Sequence, residues 1–230
     1  MYFFEKYLQP ELAANRFQKW RELFYAFVIY YSIGIICALL ILSTDSFVVK
    51  ILHHQSIRHS HFKMEEYIEK IGFYKTLLLT TVKAPIIEEI TFRLLLKPTR
   101  FNVALSMAFF VFLLTDTVFY FSIFPNQTII ITSFFLFCIL YVIYNPVWLS
   151  LLKITSTKLL IITSLCFGAI HVTNFSPIYG DLFFLYPVYV LPQILLGFIL
   201  GIIRIRNGFF WAVILHVLIN GSVSWYKLFQ

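Results

Sequence analysis

The chain has 230 residues, of which 60% are hydrophobic, 20% aromatic and only 13% charged. Soluble domains average about 45–50% apolar and about 25% charged residues, so this composition excludes a soluble globular domain and a disordered chain. The net charge of +7 is the basic excess expected of cytoplasmic loops and does not indicate a nucleic-acid partner. The composition therefore predicts an all-α, polytopic membrane protein in contact with the lipid bilayer.

The chain divides into two parts by polarity. Residues 1–22 are mixed and basic, which predicts a cytoplasmic N-terminal segment, and residues 23–230 form a single membrane domain because no linker or repeat interrupts them. Residues 44–72 are the longest polar stretch and predict a loop or interfacial segment. Apolar runs long enough to cross about 30 Å at 1.5 Å per residue give seven spans, or eight if 44–72 re-enters. The runs cover about 23–43, 73–97, 101–124, 128–148, 158–176, 183–203 and 208–228.

The distribution of Lys and Arg predicts the topology. With a cytoplasmic N-terminus, the inside loops at 97–101, 149–158 and 204–208 are basic, whereas the outside loops near 125 and 172–182 carry no Lys or Arg. The basic residues of 44–72 are the exception to this bias. The short chain and its Ile-, Phe- and Lys-rich composition favour a multi-pass protein of a bacterial cytoplasmic membrane.

Ionisable residues at membrane depth are costly and rare, so each needs a reason. The densest group follows Pro85, which removes a backbone hydrogen bond and favours a kink. Glu89 and Arg93 are four residues apart and share a helix face, so Arg93 neutralises Glu89. Glu88 is about 100° away around the helix, so it is expected to point elsewhere. A purely structural ion pair explains Glu89 and Arg93 but leaves Glu88 without a partner.

Two further groups lie in later spans. His171 follows Phe167 by one turn, and His216 precedes Asn220 by one turn. Either pair alone could be a structural hydrogen-bonding pair. Counted from the predicted cytoplasmic ends, however, Glu88, His216 and His171 lie at roughly 13, 12 and 20 Å depth. A carboxylate, two imidazoles and a carboxamide are therefore expected to converge on one buried pocket.

The order of these motifs resembles the CPBP family of intramembrane proteases, which includes the type II CAAX prenyl endopeptidases and the Abi bacteriocin self-immunity proteins. The motifs are Glu-Glu-x-x-x-Arg at 88–93, Phe-x-x-x-His at 167–171 and His-x-x-x-Asn at 216–220, on separate hydrophobic segments. The resemblance covers about 84–220 and implies a protease core at about 73–228. One departure is Leu94, where the family usually has Gly.

The resemblance implies a role for each motif residue. The residues matching Glu88 and His171 activate a water molecule, and those matching His216 and Asn220 stabilise the oxyanion. Amide hydrolysis requires both a polarised water and donors aimed at the tetrahedral oxygen. The implied activity is that of an endopeptidase acting on membrane-embedded or lipid-anchored peptide or protein substrates.

The resemblance also implies that Glu89 and Arg93 support and orient the site. The motif residues leave open whether catalysis requires a metal ion. Glu88, His171 and His216 match a catalytic zinc ligand set, but the chain has no H-E-x-x-H motif. We therefore expect a metal-independent glutamate mechanism without a cofactor, with zinc as the alternative.

Three other functions compete with the protease. A non-proteolytic immunity or scaffold protein of the same fold would need no water-activating pair. A haem protein would use His171 and His216 as axial ligands. A small proton-coupled transporter would use Glu88 and Asp116, but the chain lacks evident inverted repeats, and we expect Asp116 to hydrogen-bond a neighbouring helix.

Overall fold

The computed structural model describes residues 15–58, 64–115, 127–145, 155–175 and 177–227. Within these ranges the regular elements are helices and helical turns, which confirms the predicted all-α fold. The end of the predicted span 101–124, residues 149–154 and Asp116 lie outside the described residues. The helices are α1 (Arg16–Lys50), α2 (Met64–Ile71), α3 (Phe73–Leu78), α4 (Ala84–Arg93), α5 (Arg100–Thr115), α6 (Gln127–Ile143), α7 (Ser156–Ile170), α8 (Tyr186–Tyr189), α9 (Leu191–Asn207) and α10 (Phe209–Lys227).

Helix length and polarity indicate a membrane bundle. Among the described residues, Arg16–Lys50 and Ser156–Asn174 are long and apolar enough to cross a membrane. A third span results if Gly180–Tyr189 and Leu191–Asn207, which meet at 42°, form one bent element. Three shorter apolar helical stretches lie at Arg100–Leu114, Ile130–Ile143 and Phe209–Trp225. The membrane fold is thus supported, and the number of seven spans stays a prediction.

Helix α1 is longer than the apolar run that predicts it. It begins after Asn15, whose side chain accepts a hydrogen bond of 2.8 Å from the Gln18 N–H and caps the helix. It then continues for 35 residues to Lys50. Residues 44–50 are therefore helical, and the expected loop begins only after them.

Asp45 holds the polar C-terminal end of α1 against the rest of the protein. Its carboxylate accepts hydrogen bonds from the Ser56 hydroxyl (2.7 Å), the Arg58 N–H (3.2 Å) and the Tyr189 hydroxyl (3.0 Å). A buried carboxylate is tolerated when such donors replace the water it loses. The three bonds fasten the chain after α1 to helix α8.

Helices α3 and α4 are joined by a π turn at Leu79–Lys83 and together form one continuous helical unit. A 3₁₀ turn at Leu94–Leu96 ends this unit, close to the predicted span end at 97. The expected irregularity near Pro85 is present, although it takes the form of a wider turn just before the proline. Leu94 is buried in the final turn.

Helices α7 and α9 pack at very short distance because small residues line their contact. A Cβ atom built on Gly197 would lie 3.0 Å from the Ser164 Cα, and one built on Gly201 would overlap the Leu160 side chain. Glycine at these two positions lets the helix backbones approach, as in other membrane bundles. This packing fixes the part of α7 that carries Phe167.

The two ends of α1 mark two ends of the bundle. Near one end, Arg206 donates to the Glu22 carboxylate. Near the other end, Val48 packs against Ile57 and Leu182. At 1.5 Å per residue, Glu22 and Val48 are about 39 Å apart along the helix. The loop predicted to be outside is therefore far from the basic end of α9.

Candidate active site

One imidazole stands between two carboxylates. His216 Nδ1 lies 3.0 Å from Glu89 Oε1 and donates its proton there, and His216 Nε2 lies 3.5 Å from Glu88 Oε2. Glu88 and Glu89, which were expected to point in different directions, thus contact the same imidazole from opposite sides. Adjacent Cβ atoms do diverge by about 100°, but each glutamate has a further methylene group and a carboxylate beyond Cβ, and the two side chains reach the ring from both sides.

Arg93 completes this group from the next turn of α4. Its Nε lies 3.5 Å from Glu89 Oε2, so the predicted pair between these two residues is present. Both side chains are fully buried. The Arg93 guanidinium also lies over the Phe167 ring at 4.7 Å, a favourable cation–π contact. From α9, Arg204 Nε donates to the Arg93 carbonyl at 3.2 Å, which holds the end of α4.

Phe167 is the residue through which the three motifs meet. Its ring centroid lies 4.8 Å from that of His171 and 5.8 Å from that of His216. It also packs edge-on against Phe92 of α4 at 5.5 Å. The sequence gives its place in a motif, but its central position follows only from the packing of α7 beside α4 and α10.

His171 sits where α7 ends and a 3₁₀ turn begins. Its Nδ1–H donates to the Phe167 carbonyl at 2.7 Å. This bond selects the tautomer in which Nε2 carries the lone pair, so Nε2 is able to accept a proton. His171 is only partly buried, whereas His216 is 1% exposed.

Asn220 lies one turn after His216, but its observed bond is to a different element. Its Nδ2 donates to the Thr80 carbonyl at 3.2 Å, in the π turn that precedes α4. The sequence motifs did not indicate Thr80. The available signal was its place five residues before Pro85, where a proline cannot supply a backbone donor.

The structure thus brings Glu88, Glu89, Arg93 and His216 into one buried group, with His171 joined to it through Phe167. Glu88 Oε2, Glu89 Oε2 and all three Arg93 nitrogens are buried without a hydrogen bond to the described residues. Unbonded polar groups of this kind are costly in a protein interior and are typical of functional sites.

A zinc site of Glu88, His171 and His216 does not fit this arrangement. Among the described residues, no three His, Cys, Asp or Glu side chains form a group that could hold a metal ion. Both ring nitrogens of His216 already face carboxylates. The metal-independent mechanism rests on this placement and stays a prediction.

These features define a helical membrane protein with a buried Glu/His/Arg group between α4, α7 and α10. The family described as Type II CAAX prenyl endopeptidase Rce1-like matches residues 147–222. The match includes His171, His216 and Asn220, and it confirms the family resemblance carried by the motifs. No curated protein and no solved structure matches the chain.

Proposed function

We propose that this protein is an intramembrane endopeptidase that hydrolyses a peptide bond through a water molecule activated by Glu88 and His171. The observation that carries the proposal is the buried chain of contacts from Arg93 through Glu89 and His216 to Glu88. A scaffold protein gains nothing from this arrangement, because burying two carboxylates side by side is unfavourable.

Exposure separates the two carboxylates. Glu89 is 0% exposed and has Arg93 and His216 as partners, so it supports its neighbours. Glu88 is 7% exposed and is the more accessible of the two. Glu88 is therefore the carboxylate that takes a proton from the attacking water and later delivers it to the leaving amine.

Hydrogen bonds at the Nδ1 atoms prepare both imidazoles for their roles. The Nδ1–H bond of His171 to the Phe167 carbonyl leaves Nε2 to accept a hydrogen bond from the same water. Glu89 orients His216 through Nδ1–H, so His216 Nε2 faces the site and, when protonated, donates to the tetrahedral oxyanion. Asn220 Nδ2 has a second hydrogen that is available for the same oxygen.

The substrates are proposed to be membrane-embedded or lipid-anchored peptides and proteins. The site is buried within an apolar bundle, so a peptide bond can reach it from the bilayer or from the end of a lipid-anchored segment. Closure by apolar helices also limits access of bulk water, which strengthens the interaction of each charge with the reacting atoms.

Cleavage of a membrane-peptide library by the purified protein tests this proposal. Glu88→Gln and His171→Ala are expected to lower the rate by roughly 10⁴-fold, the upper end for loss of a general base. Asn220→Ala is expected to keep measurable activity, since one oxyanion donor contributes on the order of 10²–10³ in rate. Glu69→Gln, at an exposed carboxylate of α2, is the matched control and should cleave normally.

Metal content is determined on the same samples. A metal-independent enzyme keeps its activity in a chelator, whereas a zinc enzyme is inhibited and loses metal in His171→Ala and His216→Ala. Full activity of Glu88→Gln would remove both enzyme mechanisms. Failure of the wild type to cleave any peptide would favour an immunity or scaffold role.

A further inference from the structure

The π turn before α4 has an unusual hydrogen-bonding arrangement. The Ala84 N–H donates to the Leu79 carbonyl, five residues back, instead of to the Thr80 carbonyl, four residues back. In such a turn the next carbonyl, that of Thr80, would receive the N–H of residue 85. That residue is Pro85, which has no N–H. The Thr80 carbonyl is thus left without its backbone donor.

Asn220 supplies the missing donor from another helix. Its Nδ2 lies 3.2 Å from the Thr80 carbonyl oxygen. The Thr80 hydroxyl cannot serve, because it donates to the Thr76 carbonyl at 3.0 Å. The two helices are close at this point, since a Cβ atom on Gly221 would lie 3.2 Å from the Thr81 Cγ2. Buried carbonyl groups need a partner, so this side-chain bond replaces a backbone bond.

This bond favours the π turn over a regular α-helix. In an α-helix, Ala84 would donate to Thr80, and Thr81 would be the residue left without a donor by Pro85. A donor held against the Thr80 carbonyl therefore stabilises the π turn, in which this carbonyl has no backbone donor. Asn220 therefore supplies, in the π turn, the donor that the Thr80 carbonyl would receive from Ala84 in a regular α-helix.

The π turn changes the direction in which Glu88 points. At about 100° per residue, Glu88 would lie about 80° past Thr80 after two regular turns. One extra residue in the turn removes about 100°, which brings Glu88 to within about 20° of the Thr80 direction. Both residues accordingly face α10, where Thr80 Oγ1 lies 3.5 Å from Ser224 Oγ and Glu88 reaches His216.

We infer that Asn220 is a positioning residue that replaces the donor missing at Pro85, maintains the π turn and thereby directs Glu88 toward His216. The inference deepens the proposed function, on which it rests for the role of Glu88. It assigns Asn220 a task in the substrate-free protein, separate from any contact with the oxyanion.

Disulfide formation reports the register of the two helices without substrate. In a chain with Cys37, Cys138 and Cys166 replaced, Thr80→Cys and Ser224→Cys place two thiols at a site where the native hydroxyls are 3.5 Å apart. Asn220→Ala is expected to slow disulfide formation at least tenfold, because the segment before Pro85 rotates away from α10. Asn207→Ala is the matched control and should leave the rate unchanged, since Asn207 is a buried asparagine without a hydrogen bond to the described residues.

Pro85→Ala tests the mechanism itself. With an N–H at residue 85, the Thr80 carbonyl regains a backbone donor in the π turn, so Asn220→Ala should change the disulfide rate less than twofold in that background. If Asn220→Ala leaves the disulfide rate unchanged in the Thr80→Cys, Ser224→Cys chain with Pro85 intact, the inference is overturned. Asn220 would then act only on the substrate. A full tenfold effect in the Pro85→Ala background overturns the inference too, because the Thr80 carbonyl is then not the connection.

Folding and function are kept separate in this experiment. Thermal unfolding identifies a variant that does not fold, and Asn220→Leu, which has a similarly branched side chain without a donor, then takes the place of Asn220→Ala. Because the disulfide rate needs no substrate, it decides the positioning role even if no peptide is cleaved. Absence of cleavage by the wild type would contradict the proposed function alone.

Discussion

Glu89 contacts both Arg93 and His216, whereas the ion pair that the described residues give Glu88 is with His216. This difference assigns stability to Glu89 and chemistry to Glu88. Glu89 lies between Arg93 Nε at 3.5 Å and His216 Nδ1 at 3.0 Å. Glu88 contacts His216 Nε2 at 3.5 Å and keeps some exposure. Loss of a carboxylate that neutralises a buried guanidinium is costly, while loss of the more accessible one is not.

Neutralising these two residues should therefore give opposite results. Glu89→Gln leaves the Arg93 charge buried without its partner and is expected to lower the free energy of unfolding by about 3–5 kcal/mol. Glu88→Gln should unfold near the wild-type temperature while losing activity. Thermal unfolding in detergent, measured beside cleavage, checks both. Equal destabilisation by the two substitutions would contradict the separation of their roles.

Arg93 gives the second prediction at this scale. Its guanidinium is fully buried, pairs with Glu89 and lies over Phe167. Arg93→Ala is therefore expected to lower the free energy of unfolding by about 3–5 kcal/mol and to reduce accumulation in the membrane. Arg21→Ala, at an exposed position of α1, is the control and should behave as wild type. Normal thermal stability of Arg93→Ala would show that the pair carries no structural role.

The individual polar residues of the site could be predicted because ionisable groups in apolar runs are conspicuous. The pairing of Glu89 with Arg93 followed from their spacing. The depths of Glu88 and His216 predicted that they converge, but that both glutamates contact the same imidazole could not be predicted, because helix rotation specifies Cβ directions and not the ends of long side chains. The contact between Glu88 and His216 also joins residues 128 positions apart, as counted from 88 to 216.

At the scale of helices, the close contact of α7 with α9 sets the position of Phe167 and therefore of the rings around it. Gly197 faces the Ser164 backbone, and Gly201 faces Leu160. The backbone of Ser164 cannot move aside as a flexible side chain can. Any larger residue at 197 must separate the two helices and carry Phe167 away from Arg93.

Gly197→Leu is accordingly expected to lower thermal stability and to reduce cleavage together. The cost of overpacking a close-packed contact is typically about 1–3 kcal/mol, and here the clash is with backbone. Gly34→Leu is the matched control, because a Cβ on Gly34 meets nothing within 4 Å and leucine favours a helix. Wild-type stability of Gly197→Leu would show that the helices adjust without loss.

Most helix positions could be predicted from apolar runs, since such a run must be helical to satisfy its backbone in lipid. Thus α10 occupies 209–227 where 208–228 was predicted. The extension of α1 to Lys50 and the π turn were not predictable in this way. Both depend on side chains distant in sequence, namely Tyr189 for Asp45 and Asn220 for Thr80.

At the scale of the molecule, the described parts of the three loops predicted to be cytoplasmic lie toward one end, whereas Lys50 lies toward the other. The Leu96 and Leu160 side chains pack together near Gly201, and Arg206 meets Glu22 a little further along α9. The loops predicted to be cytoplasmic are the segments that follow Leu96, precede Leu160 and follow Gly201. Their proximity is what a single orientation of the bundle requires.

This arrangement leads to a prediction about orientation in the membrane. In a chain whose native cysteines are replaced, Thr99→Cys and Ser156→Cys place thiols at exposed positions near the basic end, and Ile178→Cys places one in the loop that packs with Val48. A membrane-impermeant maleimide applied from outside intact cells is expected to label residue 178 and to miss residues 99 and 156. The reason is that positively charged loops are retained in the cytoplasm during insertion. Permeabilised cells provide the control, because all three thiols should then react. Labelling of 99 and 156 with none at 178 would invert the topology, and labelling at both ends would show that the loops do not lie on opposite faces.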